Sequence, residues 1–142
     1  MRRKGFTLIE LLAVMVILVV LAGLAMARIL PKTEEVKRQA ALADIEGNLA
    51  LALDLYSLDS GEYPNTEQGL EALRTKPTAP PIPENWKGPY LRKGLPKDPW
   101  GRAYQYRSPG ELNKEDYDLF SFGPDGQEGG GDDITNWEES EE

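Results

Sequence analysis

The chain has 142 residues, with 16 Lys and Arg against 24 Asp and Glu, for a formal net charge of −8. An acidic balance of this size argues against nucleic acid, whose phosphates call for basic patches, and suits an exposed domain that resists casual association or gathers cations. With neither cysteine nor histidine, disulfides, thiolate or imidazole metal sites and Cys- or His-based catalysis are excluded, so any metal must be a hard cation held by oxygen.

In chain order, Arg2, Arg3 and Lys4 precede Gly5-Phe6-Thr7-Leu8-Ile9-Glu10, and an apolar run follows in which residues 11–27 carry no charge. A helix over residues 6–27 would be about 33 Å long at roughly 1.5 Å per residue, enough to cross about 30 Å of hydrocarbon. Basic residues on one side of the span predict a cytoplasmic N-terminus and an exported remainder. Glu10 is the one ionisable group inside the run. A carboxylate is costly in lipid, so an acid kept there is a candidate for function. The basic start, the apolar core and Ala25-Met26-Ala27 also read as a secretory signal peptide. The length of the run, Glu10 near its start and the helical pattern beyond Ala27 argue against that reading, and Arg2-Arg3 alone is a weak twin-arginine signal.

Gly5-Phe6-Thr7-Leu8-Ile9-Glu10 resembles the processing site of type IV pilins and of the pseudopilins of type II secretion. The resemblance implies cleavage between Gly5 and Phe6 by a prepilin peptidase, N-methylation of Phe6, and a role for Glu10 in filament assembly. The offset makes physical sense. Cleavage would free an amine at Phe6 within one helical turn of Glu10, and staggered protomers could pair one subunit's carboxylate with a neighbour's amine. Each would otherwise be an unpaired charge in lipid.

Beyond the span, Pro31 is expected to kink or loosen the helix; the pseudopilin family commonly has its proline a few residues earlier, near Ala27. Leu42, Ile45, Leu49, Ala52, Leu53 and Tyr56 recur at helical spacing, with Asp44, Glu46 and Asp54 off that face. Glu34 and Arg38 form an i,i+4 pair, and Gly61 is the expected C-cap. Residues 6–58 therefore read as one near-continuous helix of about 80 Å, or as two helices joined at Pro31.

Asn65 and Gln68 have the spacing of a capping box for a short helix that buries Leu70 and Leu73 and stops at Pro77. Residues 77–99 hold seven of the eleven prolines, which predicts an ordered extended wrap pinned by Trp86, Tyr90 and Trp100. Tyr104 and Tyr106 alternate with Gln105 and Arg107, and Tyr117-Asp118-Leu119-Phe120-Ser121-Phe122 is a second strand candidate. An antiparallel hairpin resting on the 42–56 stripe would form the core, although two strands alone would be marginal. The stretches at 63–70 and 95–101 resemble segments of the major pseudopilins of type II secretion.

Residues 122–137 form the last feature. Five glycines let this loop fold back so that Asp125, Asp132 and Asp133 converge, and calcium takes six to eight oxygens from carboxylates and carbonyls. The spacing is not that of an EF-hand, and from the residues alone a solvated acidic tail stays open. Gly-Pro-Asp-Gly followed by Asp-Asp-Ile-Thr-Asn-Trp, however, resembles the calcium loop of the major pseudopilins. That resemblance implies Ca2+ held by Asp125, Asp132 and Asp133, with the carbonyls of Phe122 and Gln127.

Covering nearly the whole chain, the resemblance implies a pilin-like α+β fold. Its long N-terminal helix spans the membrane in its first half and packs at its C-terminal half on a small antiparallel sheet. It divides the chain into a leader (1–5), a transmembrane and assembly helix (6–30) and a periplasmic domain (31–142). The implied function is a structural subunit of the homopolymeric periplasmic pseudopilus, which drives export of folded proteins across the outer membrane. Minor pseudopilins, an inner-membrane assembly platform and a prepilin peptidase are the implied partners. The alternative is a type IV pilin for adhesion or motility; such pilins usually close their C-terminal region with a disulfide, which this chain lacks. An exported enzyme finds no support, since nothing in the sequence sets a nucleophile beside a base or two carboxylates in an apolar cleft.

Overall fold

Helix α1 spans Leu8–Ala43, passes into a six-residue π-helical turn at Asp44–Leu49, and continues as α2 over Ala50–Ser60. The computed structural model describes residues 5–137, apart from the side chains of 27–32. The leader residues before Gly5 and the acidic residues after Trp137 lie outside that range. Helix α1 runs through Pro31, in keeping with the reading of one near-continuous helix and against the alternative of two helices joined there. The departure from α geometry falls instead at Asp44–Leu49, where the burial pattern calls for it. Ala41, Ile45, Leu49 and Leu53 are fully buried, in three successive steps of four residues. In an α-helix each such step turns the stripe about 40° away from the core. The wider π turn brings it back.

The chain forms two compact units, Met1–Val36 and Lys37–Glu142. In the first, Leu8–Met26 is long and apolar enough to cross a membrane, and none of it is buried.

The second unit holds the core. Gly61, at φ 88°, ends α2 with its N–H on the Ser57 carbonyl at 2.7 Å; its left-handed conformation is open to glycine at no steric cost. The expected capping box is present. The Gln68 N–H donates to Asn65 Oδ1 at 2.9 Å, and the Asn65 N–H donates to Gln68 Oε1 at 3.1 Å. A 3-10 turn over Leu70–Leu73 then buries both leucines. The proline-rich wrap is fastened from inside. Trp86 Nε1 donates to the Ala72 carbonyl at 2.9 Å, the Gln68 amide donates to the carbonyls of Ala79 and Pro81, and the Tyr90 hydroxyl donates to Asp59 Oδ2 at 3.0 Å. Lys87, 3.1 Å from Asp59, holds that carboxyl below its ordinary range.

Three strands form one antiparallel sheet in the order β1 (Gln105–Arg107), β2 (Asp118–Ser121), β3 (Ile134–Thr135). The two-stranded hairpin read from the sequence is thus incomplete: the glycine-rich loop returns to add β3, with Ser121 opposite Ile134. Tyr104, Tyr117, Leu119 and Ile134 join the helical stripe in one core. Phe120 is also buried, edge-on to Phe122 and Trp137 at 5.7 and 5.3 Å, with the Arg107 guanidinium 5.1 Å above its ring. Both faces of β2 are therefore covered, which a bare hairpin could not achieve.

Candidate functional site

Two places hold the candidate residues. At the first, Phe6 is exposed and Glu10 lies in the opening turn of α1, with Oε2 3.5 Å from the Thr7 N–H. A carboxylate at a helix N-terminus faces the unpaired amides and the positive end of the helix dipole. Nothing lies within 4 Å of where a side chain on Gly5 would begin.

The second is the loop between β2 and β3. Asp125 Oδ1 accepts the Gln127 N–H at 2.8 Å, Asp132 Oδ2 accepts the Asp125 N–H at 3.2 Å, and Asp133 Oδ2 accepts the Gly129 N–H at 2.8 Å. The three aspartates thus fold the loop onto itself. A Cβ on Gly130 would meet two of them, 3.3 Å from Asp132 Oδ1 and 3.5 Å from Asp125 Oδ2. Asp133 keeps its other oxygen, Oδ1, buried without a hydrogen-bond partner. Burial pushes the Asp133 carboxyl up, the Gly129 N–H opposes that, and the charges of Asp132, Asp125 and Glu128 add to the rise. Among the described residues no three acidic side chains stand together as a ready-made metal cluster. The donors are nonetheless all oxygen, the chemistry of a hard cation, and a buried carboxylate oxygen with no donor is costly as it stands. By donor chemistry, and by the unpartnered Asp133 oxygen, these residues suit such an ion. The positions of Phe122 and Gln127 also fall in this loop, on either side of Asp125.

Several residues here escape sequence reasoning. Arg38 Nη1 donates to the Asp132 carbonyl at 3.2 Å, and Arg102 Nη2 donates to the Gly123 carbonyl. Ser121 accepts the Gly123 N–H. Nothing in the local pattern of Arg38 or Arg102 marks a partner so far along the chain. Asp98 before Pro99-Trp100-Gly101 did carry a usable signal, that of an Asx turn.

A membrane-length helix ahead of a small antiparallel sheet that packs on a helical stripe defines a pilin-like α+β subunit. The family model for type II secretion system protein G matches residues 28–137, and that for the prokaryotic N-terminal methylation motif matches residues 1–26. The type II secretion system core protein G of Pseudomonas aeruginosa is 50% identical over 141 residues, with 96% of each chain covered. That of Vibrio cholerae is 50% identical over 140 residues, covering 96% of this chain and 92% of its own. The crystal structure of the major pseudopilin of enterohaemorrhagic Escherichia coli superposes with a TM-score of 0.67 at 44% identity, covering 75% of this chain and 87% of that one. The chain belongs to the type II secretion system protein G family. It is a structural pseudopilin subunit of that machine and not an enzyme. Its N-terminal helix of membrane-spanning length is that of a pseudopilin anchored in the inner membrane with a periplasmic domain.

Proposed function

We propose that this subunit is cut between Gly5 and Phe6 by a prepilin peptidase, methylated at Phe6, and polymerised through Glu10 into a periplasmic homopolymer that drives export of folded proteins across the outer membrane. Minor pseudopilins and an inner-membrane assembly platform complete that machinery. The observation that carries the reading is Glu10 itself. It is the one ionisable side chain within Leu8–Met26, it is exposed, and it sits in the first helical turn beside the Thr7 amide. An amine freed at Phe6 lies within reach of the same turn. A neighbouring subunit's carboxylate would neutralise it, and neither charge would then remain unpaired in lipid. The test pairs two measurements. Intact mass should show a mature chain that begins at methylated Phe6; a chain that begins at Arg28 would mean a secretory signal peptide instead. Glu10→Ala should insert normally yet lose most filament yield, and a wild-type yield would remove the pairing argument.

The same reading extends to the loop. Asp125, Asp132 and Asp133, with the carbonyls of Phe122 and Gln127, would hold a calcium ion. Bound calcium supplies the positive charge that three neighbouring carboxylates otherwise lack. The chain's own contribution would be the backbone course that lets those carboxylates approach. Gly123, at φ 63°, allows the backbone of Asp132 to pass where a side chain would collide with it. The half-buried Asp133 then offers its unpartnered oxygen.

A further inference from the structure

We propose that Ser121 and Arg102, neither of them a candidate ligand, position the first arm of the calcium loop, and that the loop's affinity for calcium depends on them. This rests on the reading of Asp125, Asp132 and Asp133 as ligands. Asp98 is a carboxylate only 3% exposed. Its backbone N–H donates to the Arg102 carbonyl at 2.8 Å, and its Oδ1 accepts the N–H groups of Arg102 at 2.7 Å and Trp100 at 3.1 Å. The turn over residues 98–102 is thereby locked. Oδ2 accepts the Ser121 hydroxyl at 2.6 Å. A hydroxyl has a single proton, so once Asp98 has taken it the Ser121 oxygen can only accept, and it accepts the Gly123 N–H at 3.2 Å.

The other side of Gly123 is held from the same turn, because Arg102 Nη2 donates to the Gly123 carbonyl. Both polar backbone groups of Gly123 are thus bonded by side chains, one held by the Asp98 carboxylate and the other carried on a residue whose backbone Asp98 holds. Gly123 stands between Phe122 and Asp125, two of the candidate ligands. The guanidinium also lies against Gly126, where an added Cβ would come 2.7 Å from Arg102 Nη1. Arg102 therefore touches the loop on both sides of Asp125. A guanidinium carries only donors and a positive charge, so it cannot ligate a cation and would repel one. What it does supply is position. Fixing the loop's shape in advance lowers the ordering cost of binding, and groups behind a metal's ligands typically change its affinity by about 10–100-fold when removed.

The test uses the full chain in detergent micelles, with calcium titrated calorimetrically and melting followed in calcium and in chelator. Ser121→Ala and Arg102→Ala should each weaken the calcium Kd by about tenfold and narrow the gap between the two melting temperatures. Arg102→Lys keeps a donor for the Gly123 carbonyl and should recover part of the loss. A purely structural role would lower melting equally in calcium and in chelator and leave Kd at its wild-type value, and that result overturns the proposal. Should Ser121→Ala fail to fold, the partly exposed Arg102, as its Ala and Lys variants, decides alone. A wild-type chain with no calcium response brings down the ligand reading and this proposal with it. A wild-type response with unchanged variants brings down only this one.

Discussion

Residues Leu8–Met26 and the loop at 122–137 make an instructive pair. The first presents apolar side chains to the outside along its whole length, and none of it is buried. The second sits on a domain with a continuous core and presents the opposite kind of unmet demand, a buried carboxylate oxygen on Asp133 without a hydrogen-bond donor. Apolar surface is satisfied by hydrocarbon or by other apolar surface in amounts that scale with area. Oxygen is satisfied only by a donor or a cation at a defined place. The helix can therefore tolerate many substitutions that keep it apolar, whereas the loop depends on individual atoms.

The largest expected effect tests whether the two regions are separable. Leu53 is fully buried, and Leu53→Ala should cost the domain about 2–5 kcal/mol while membrane insertion stays at wild-type level. Thermal melting and membrane fractionation measure the two halves, and a parallel loss of insertion would break the comparison. Next is removal of calcium. An ion bound only by the folded loop stabilises it by about 2.7 kcal/mol at a hundredfold excess over Kd. Chelation should therefore lower melting by roughly 10–20 °C for a domain of this size. Asp125→Ala or Asp132→Ala should remove the difference, and magnesium should substitute poorly because it demands tight octahedral geometry. Superimposed curves in calcium and in chelator would mean that the loop is a solvated acidic tail.

A smaller effect isolates one atom. Gly126 has φ 75° and lies against Arg102, so Gly126→Ala should cost about 1–2 kcal/mol and weaken calcium binding by displacing the guanidinium. The smallest concerns the core tyrosines. Burial raises Tyr104, Tyr106 and Tyr117, and burial with the Asp54 hydrogen bond pushes Tyr63 up to about 12 from 10.0. The folded state thus resists ionising phenols that the unfolded chain ionises from pH 10. The resulting stability is fully present below pH 10 and is lost as the pH rises towards 12. Melting in that window should fall, and tyrosinate absorbance should rise later than in denatured protein, with no change in the Leu8–Met26 helix.

Much of the fold was legible because its signals are local. The 42–56 stripe follows from side chains three and four residues apart sharing one helix face. The Gly61 cap and the Asn65–Gln68 box involve neighbours, and the aromatic residues of the wrap announce burial by type. The membrane-length run and Glu10 at its start are matters of composition and offset. The π turn was not legible, since only packing against the sheet requires Ala41, Ile45, Leu49 and Leu53 to share one line.

At the loop the division is sharper. Its acidity, its glycines and the residue types able to hold a hard cation were determined by the sequence alone, because they depend on chemistry and not on place. Whether three aspartates fold back, which oxygen is left buried, and that residues 134–135 become a third strand were decided by the tertiary structure. Arg38 meets the Asp132 carbonyl across 94 residues, and Ser121 meets Asp98 across 23. Such pairs leave no periodicity in the chain. They exist only because the helical stripe buries its apolar face against the sheet, and that burial brings distant polar groups within hydrogen-bonding distance.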